Sequence, residues 1–122
     1  MTTMTTTTTT LFRPVGQKEL DLIRDSGWAR FPPRLDWQPI FFPVLNEPYA
    51  TQIARDWNTK DPASDFVGYV LRFHVEAGFV ARYEPQVVGS AVHRELWVPS
   101  EELEAFNDHI VGPIEVIAEF RP

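Results

Sequence analysis

Between Val67 and Glu76 the chain alternates with a period of two. Tyr69, Leu71, Phe73 and Val75 fall on one side, Val70, Arg72, His74 and Glu76 on the other. That pattern predicts a strand with one face in the core and the other mostly wet. Phe79 to Glu84 alternates again, and Ala77-Gly78 between the two runs predicts an antiparallel hairpin. Ile114 to Phe120 reads as a closing strand whose Ile114, Val116, Ala118 and Phe120 share a face. Leu11 to Val15 predicts a first strand that Pro14 confines to an edge or to its own end. The continuous apolar run Pro39 to Val44 suits a buried strand. His93 to Pro99 reads as a further strand, with Leu96 and Val98 on one face and Glu95 beside Trp97 on the other.

A period near 3.6 appears in three places. Gln17 to Ser26 places Leu20 and Ile23 on one side, with Gly27 where a left-handed cap is expected. Asn46 is a suitable N-cap for a helix with Glu47 and Pro48 in its first turn, and Tyr49/Ala50, Ile53/Ala54 and Trp57 recur toward the core. Pro99-Ser100-Glu101-Glu102 starts a third helix with a hydroxyl cap, an inner stripe of Leu103, Phe106 and Ile110, and a stop at Gly112-Pro113. Strands and helices in this order predict an α+β domain rather than a doubly wound sheet.

Two stretches fit neither period. Met1 to Thr10 is nearly pure Thr with no face to bury, and is expected to be a disordered tail ahead of a single domain over 11–122. Trp28 to Gln38 holds Pro32-Pro33, two Trp and several charged residues, and predicts a long loop in which Arg30, Arg34 and Trp37 suit a phosphate or a flat ring. Val87-Val88-Gly89-Ser90 predicts a small-residue connection leading into the His93 strand.

Composition narrows the chemistry. A chain of 122 residues, 43% hydrophobic and 13% aromatic, has enough apolar surface for one core. Its net charge of −6 lacks the basic footprint of a general nucleic-acid binder. Cysteine is absent, so disulfides, thiolate catalysis and Cys-based zinc sites are excluded. No apolar run approaches the roughly 20 residues of a membrane helix. The first residues lack the basic start and apolar stretch of a secretory signal, so a cytoplasmic protein is expected. Phosphate-cradling Gly loops, zinc-helix motifs, nucleophile elbows and acidic calcium loops are all missing, and His74, His93 and His109 are too dispersed to predict a metal site.

Against that background Glu95 stands out, either as a solvent-facing acid on an edge strand or as a functional carboxylate set beside an indole on an otherwise apolar strand. Such a group, preorganised on rigid backbone, can stabilise a developing cation. Arg13 on a first strand followed by a helix, the aromatic run Pro39 to Pro43 leading into Tyr49-Ala50, and Glu95 opening a late strand together resemble the ADP-ribosyltransferase-like fold over Leu11 to Phe120. The phrases Leu-Phe-Arg-Pro-Val-Gly and Glu-Leu-Trp-Val-Pro are similar to those of small bacterial proteins loosely labelled as ADP-ribosylation-related.

The resemblance implies two small, mainly antiparallel sheets around a cleft, about three helices, and NAD as substrate with no metal. Arg13 would hold the nicotinamide ribose or a phosphate. Phe41, Phe42 and Tyr49 would pack around the nicotinamide. Glu95 would be the catalytic carboxylate that bonds the ribose 2′-hydroxyl and stabilises the oxocarbenium ion, and His93 would help select the acceptor. The chain departs from the pattern in lacking the Ser-Thr-Ser run of one branch, in carrying Arg13 where another branch has His, and in carrying His93 where several branches have Glu or Gln. These departures point away from arginine-directed transfer and leave a protein side chain, a nucleic acid, a small molecule or water as acceptor. Two alternatives accompany this reading: a catalytically silent interaction protein on the same fold, with the Trp28 to Gln38 loop as its contact, and an NAD glycohydrolase.

Overall fold

The computed structural model describes residues 7–88 and 93–122. The predicted central strand is β3 (Gly68–Glu76), flanked by β1 (Thr8–Val15) and β7 (Glu115–Phe120) in an antiparallel sheet of order β1-β3-β7. Among the described residues two short antiparallel pairs complete the strands: β2 (Ile40–Phe41) with β6 (Val98–Pro99), and β4 (Gln86–Val87) with β5 (Arg94–Glu95). The helices are α1 (Gln17–Asp25), α2 (Glu47–Asp56), the single turn α3 (Ala77–Val80) and α4 (Leu103–Asp108). The chain is a small α+β protein of antiparallel sheets and helices. Among the described residues no helix is long and apolar enough to cross a membrane.

The main sheet is covered on both faces. Leu11 and Val15 from β1 join Tyr69, Leu71, Phe73 and Val75 from β3 in the larger core, which α1, α3 and α4 also supply. The intervening positions, Phe12 and Val70, face a smaller cluster built on Ala50 and Ala54 of α2. Alternation along two strands therefore feeds two cores at once. The rings of Phe31, Phe41, Phe73 and Phe106 meet at tilted or edge-on angles in the larger one.

Several elements follow the local chemistry closely. The end of α1 is a Schellman turn: Gly27 has φ +79°, its N–H bonds the Arg24 carbonyl, and the Trp28 N–H reaches back to Ile23. Asn46 caps α2 by accepting from the Tyr49 N–H at 2.8 Å. Within the long loop Phe31 is a core residue, pinned by Asn107, whose side chain accepts from the Phe31 N–H and donates to its carbonyl.

Elsewhere the structure departs from the sequence pattern, each time for a packing reason. Thr8, Thr9 and Thr10, assigned to the tail, are the first residues of β1 and pair with Glu76, Val75 and His74. β-Branched residues suit a strand, and the edge of β3 satisfies their backbone groups. Residues 1–6 of the expected tail lie outside the described residues, as does the small-residue connection at 89–90. The expected hairpin after β3 is instead α3, because the neighbours Phe79 and Val80 are both buried, which a helical turn permits and strict alternation forbids.

The stretch from His93 to Pro99 is two strands rather than one, since β5 pairs with β4 while β6 pairs with β2. In β7 the register shifts opposite Val70/Leu71, so that Ile117 is left unpaired between Ala118 and Val116. Val116 consequently turns outward at 42% exposure, while Ile117, Ala118 and Phe120 pack toward α2. The last helix begins as a 3₁₀ turn, Ser100–Glu102, and neither that turn nor α4 has a side-chain cap. Trp57, expected in the core, is 60% exposed at the C-terminal end of α2. That helix lies so near the sheet that only its alanines fit beneath it.

Candidate functional site

The residues singled out on three distant segments meet around one groove. β1 and β5 do not pair directly; the segment Phe42 to Leu45 lies between them. Phe12 and Val44 exchange both backbone hydrogen bonds, at 2.9 and 2.8 Å, and Val44 is bridged on its other side to Glu95. The Leu45 N–H bonds the Arg94 carbonyl and the Leu96 N–H bonds the Pro43 carbonyl, which extends that attachment. Arg13, next to Phe12, and Glu95, next to Arg94, are thereby brought to the same groove of about 560 Å³, with Phe42 in its lining. A volume of this size suits a small organic ligand.

Glu95 sits at the end of β5, half-buried, with a donor on each oxygen. The Trp97 indole N–H donates to Oε1 at 2.9 Å and the Tyr49 hydroxyl donates to Oε2 at 3.2 Å. Both donors are neutral, so they fix the carboxylate without cancelling its charge. Among the described residues no Lys, Arg or His forms an ion pair with it. Partial burial, and then the charge and hydrogen bond of Glu95, raise the Tyr49 hydroxyl above its ordinary pKa. Tyr49 therefore remains a donor throughout the neutral range. His93 stacks on the Tyr49 ring at 4.5 Å with the planes 11° apart, one contact removed from the carboxylate. Removing only the hydroxyl, in Tyr49→Phe, is expected to leave thermal stability within about 1 kcal/mol of wild type, the usual size of one hydrogen bond. The melting temperature measures this directly.

Arg13 is placed differently from an open anion anchor. Its side chain is buried, and Nε and Nη2 donate to the two oxygens of Glu19 on α1 at 2.6 and 2.9 Å, a bidentate pair. Nη1 donates to the Phe42 carbonyl at 3.3 Å, and the guanidinium lies 4.6 Å from the centre of the Phe41 ring. Arg13 ties β1 to α1 and to the Phe42 segment. Glu19→Gln, which would leave that guanidinium without its counter-charge, is expected to cost about 2 kcal/mol. The urea midpoint should fall at unchanged slope.

Of the three aromatic candidates, Phe42 lines the groove and Tyr49 acts on Glu95. Phe41 is only 1% exposed, packed against Phe31 and Phe106 in the core, and presents its ring to the arginines rather than to the groove.

The long loop contributes a residue with a clearer position than its sequence context suggested. Arg30 is used structurally, donating to Asp108 at 2.8 Å and to the Glu104 carbonyl. Trp37 projects into solvent. Arg34 instead lines the groove, half-buried, donating from Nε to the Ile40 carbonyl at 3.1 Å and lying 5.9 Å from the Phe41 ring centre. Burial, and then the neighbouring Arg13 charge, lower its pKa from the ordinary arginine value, while Glu19 opposes the shift. Trp57 and Leu22 add exposed apolar surface to the same groove. No sequence pattern marks Trp57 as a groove residue, because its position at the end of the helical stripe reads as core.

Among the described residues no group of three or more His, Cys, Asp or Glu side chains is arranged to hold a metal ion. No known protein family, no curated protein and no solved structure matches the chain.

Proposed function

We propose that the chain is an ADP-ribosyltransferase-like protein that binds NAD in this groove, cleaves the nicotinamide–ribose bond with Glu95 as catalytic carboxylate, and passes ADP-ribose to an acceptor. The observation that carries the reading is the state of Glu95. It is a carboxylate without a cationic partner among the described residues, oriented by two neutral donors at the edge of a groove of ligand size. Carboxylates held this way are suited to a cation that forms only during reaction.

The chemistry follows from that charge. As the bond between the ribose anomeric carbon and the nicotinamide nitrogen breaks, its electron pair goes to nicotinamide, which leaves neutral, and positive charge spreads over the ribose carbon and ring oxygen. Glu95 accepts a hydrogen bond from the ribose 2′-hydroxyl and stabilises that oxocarbenium ion. A nucleophilic acceptor then adds to the anomeric carbon and releases a proton to solvent. Phe42 packs beside the nicotinamide. His93, stacked on Tyr49, lies where it can influence which acceptor approaches. Arg13 shapes the groove through Glu19 and the Phe42 carbonyl rather than offering a free guanidinium.

Incubation of the full chain with NAD labelled in its adenylate half tests the reading. Nicotinamide should be released and label should appear on an added protein, nucleic-acid or small-molecule acceptor. Release without transfer identifies water as the acceptor and a glycohydrolase. Absence of both NAD binding and nicotinamide release by the folded protein rejects the proposal. One observation favours an interaction role instead: Trp37, 76% exposed, stands beside exposed Leu35 on the long loop. A partner docked there would change Trp37 fluorescence and lose affinity in Trp37→Ala, whereas NAD turnover would be unaffected by that substitution.

A further inference from the structure

The groove contains more positive charge than its ion pairs use. Glu19 engages Arg13 through both of its oxygens, so that pair is satisfied. Arg34 lies beside the same Phe41 ring and has no carboxylate partner among the described residues; one of its donors bonds the Ile40 carbonyl, which leaves most of the guanidinium fork unused. Lys18, exposed on α1 next to Glu19, also lines the groove without an ion pair. Holding a half-buried guanidinium beside another cation costs free energy that an incoming anion would offset.

The other two carboxylates that line the groove, Asp61 and Glu95, form no ion pair with Arg34 or Lys18 among the described residues. Asp61 caps the Ala63 N–H and accepts from the Ser64 hydroxyl, and Glu95 is held by Tyr49 and Trp97. The local backbone points the same way. Gly16, the N-cap of α1, has no side chain to cap the first turn, and Gly16, Lys18 and Glu19 all line the groove. First-turn N–H groups at a helix start favour negative charge. Nearby, Leu22, Phe42 and Trp57 give apolar surface suited to the organic part of a ligand.

We propose that Arg34, assisted by Lys18, forms an anion subsite in this groove that takes a diphosphate group carried by an organic ligand. A guanidinium fork matches two phosphate oxygens, and a second cation on a flexible stem accommodates the adjoining phosphate. The subsite rests on the NAD reading only for the identity of the complete ligand; the diphosphate chemistry comes from the two cations themselves. Arg34 binds and orients, while the bond-breaking role remains at Glu95.

Inorganic pyrophosphate is the probe, titrated into the full chain and followed by calorimetry and by amide chemical shifts. Wild type should bind it, with affinity weakening as salt rises and shifts centred on 16–19 and 34. Arg34→Gln should weaken binding about tenfold or more, the loss expected for a charge-assisted bidentate contact. Arg34→Lys should recover part of that loss. Lys18→Glu, an exposed change that leaves the core untouched, should weaken binding severalfold by reversing one groove charge.

Failure of wild type to bind pyrophosphate, or equal affinity in wild type, Arg34→Gln and Lys18→Glu, overturns the proposal. Pyrophosphate binding that depends on Arg34 in a protein that does not turn over NAD preserves the subsite and rejects the proposed reaction. NAD turnover with an unchanged KM in both Arg34→Gln and Lys18→Glu preserves the reaction and rejects the subsite.

Discussion

Glu95→Gln should reduce nicotinamide release at saturating NAD by about 10² to 10³, the range lost when one preorganised electrostatic group is removed from a developing charge. The substitution changes few atoms but removes the negative charge. Glutamine can still accept from one of the two neighbours, Tyr49 or Trp97, while its amide nitrogen cannot accept from the other. The principal loss should appear in kcat rather than KM, because the positive charge reaches the ribose carbon and ring oxygen only in the transition state, whereas in bound NAD it lies on the nicotinamide ring. Tyr49→Phe should lower kcat by a smaller factor, about tenfold, since it releases one oxygen of the carboxylate without neutralising it. Stopped assays of nicotinamide release, with circular dichroism on each variant, separate these effects from unfolding. Equal rates in wild type and Glu95→Gln would remove Glu95 from catalysis.

The elements surrounding this site differ in how openly the sequence announces them. β3 was legible because Leu71, Phe73 and Val75 alternate against polar neighbours, and α2 because Asn46, Pro48 and the alanine spacing agree with one another. Local pattern misled where a residue's neighbour in space decided the outcome. Phe79 and Val80 form a helical turn because both enter the core, and Ile117 is displaced by a bulge set by how β7 pairs with β3. Thr8 to Thr10 carry almost no pattern and take their strand from pairing with the end of β3.

The candidate site shows the same division. The proximity of Glu95 and Trp97 follows from their alternation, and the indole does donate to the carboxylate. The capture of Arg13 by Glu19 depends on the angle at which α1 leaves β1, which composition does not specify. Arg34 could be chosen from the loop as an anion-binding residue type, but its separation from Arg30 required the fold. One arginine is spent on Asp108 and the other is left in the groove.

The second large effect concerns the backbone that carries Tyr49. Gly68→Ala is expected to destabilise the protein by about 3 kcal/mol or more, in the upper range for forcing an extra carbon into a packed interior. A Cβ placed on Gly68 would come within 2.1 Å of the Ala54 carbonyl oxygen and within 2.8 Å of the Ala54 Cα. Neither is the end of a flexible side chain. Relief requires α2 to move away from the sheet, opening the cluster of Val44, Ala50, Ala54 and Val70. For a domain of this length the melting temperature should fall by roughly 10 °C.

The same displacement would carry Tyr49 away from Glu95, because Tyr49 lies on α2 while Glu95 is anchored through Val44 to β1. Gly68→Ala should therefore also lower any Glu95-dependent turnover when assayed at a temperature where the variant remains folded. Gly78→Ala provides the matched control. It adds the same methyl group to the helical turn α3, where nothing lies within 4 Å, and alanine is the better helix residue. Wild-type stability in Gly68→Ala would mean that β3 and α2 are not in the close contact described; a loss confined to Gly68→Ala, with Gly78→Ala unchanged, locates the constraint at the helix–sheet approach that positions Tyr49.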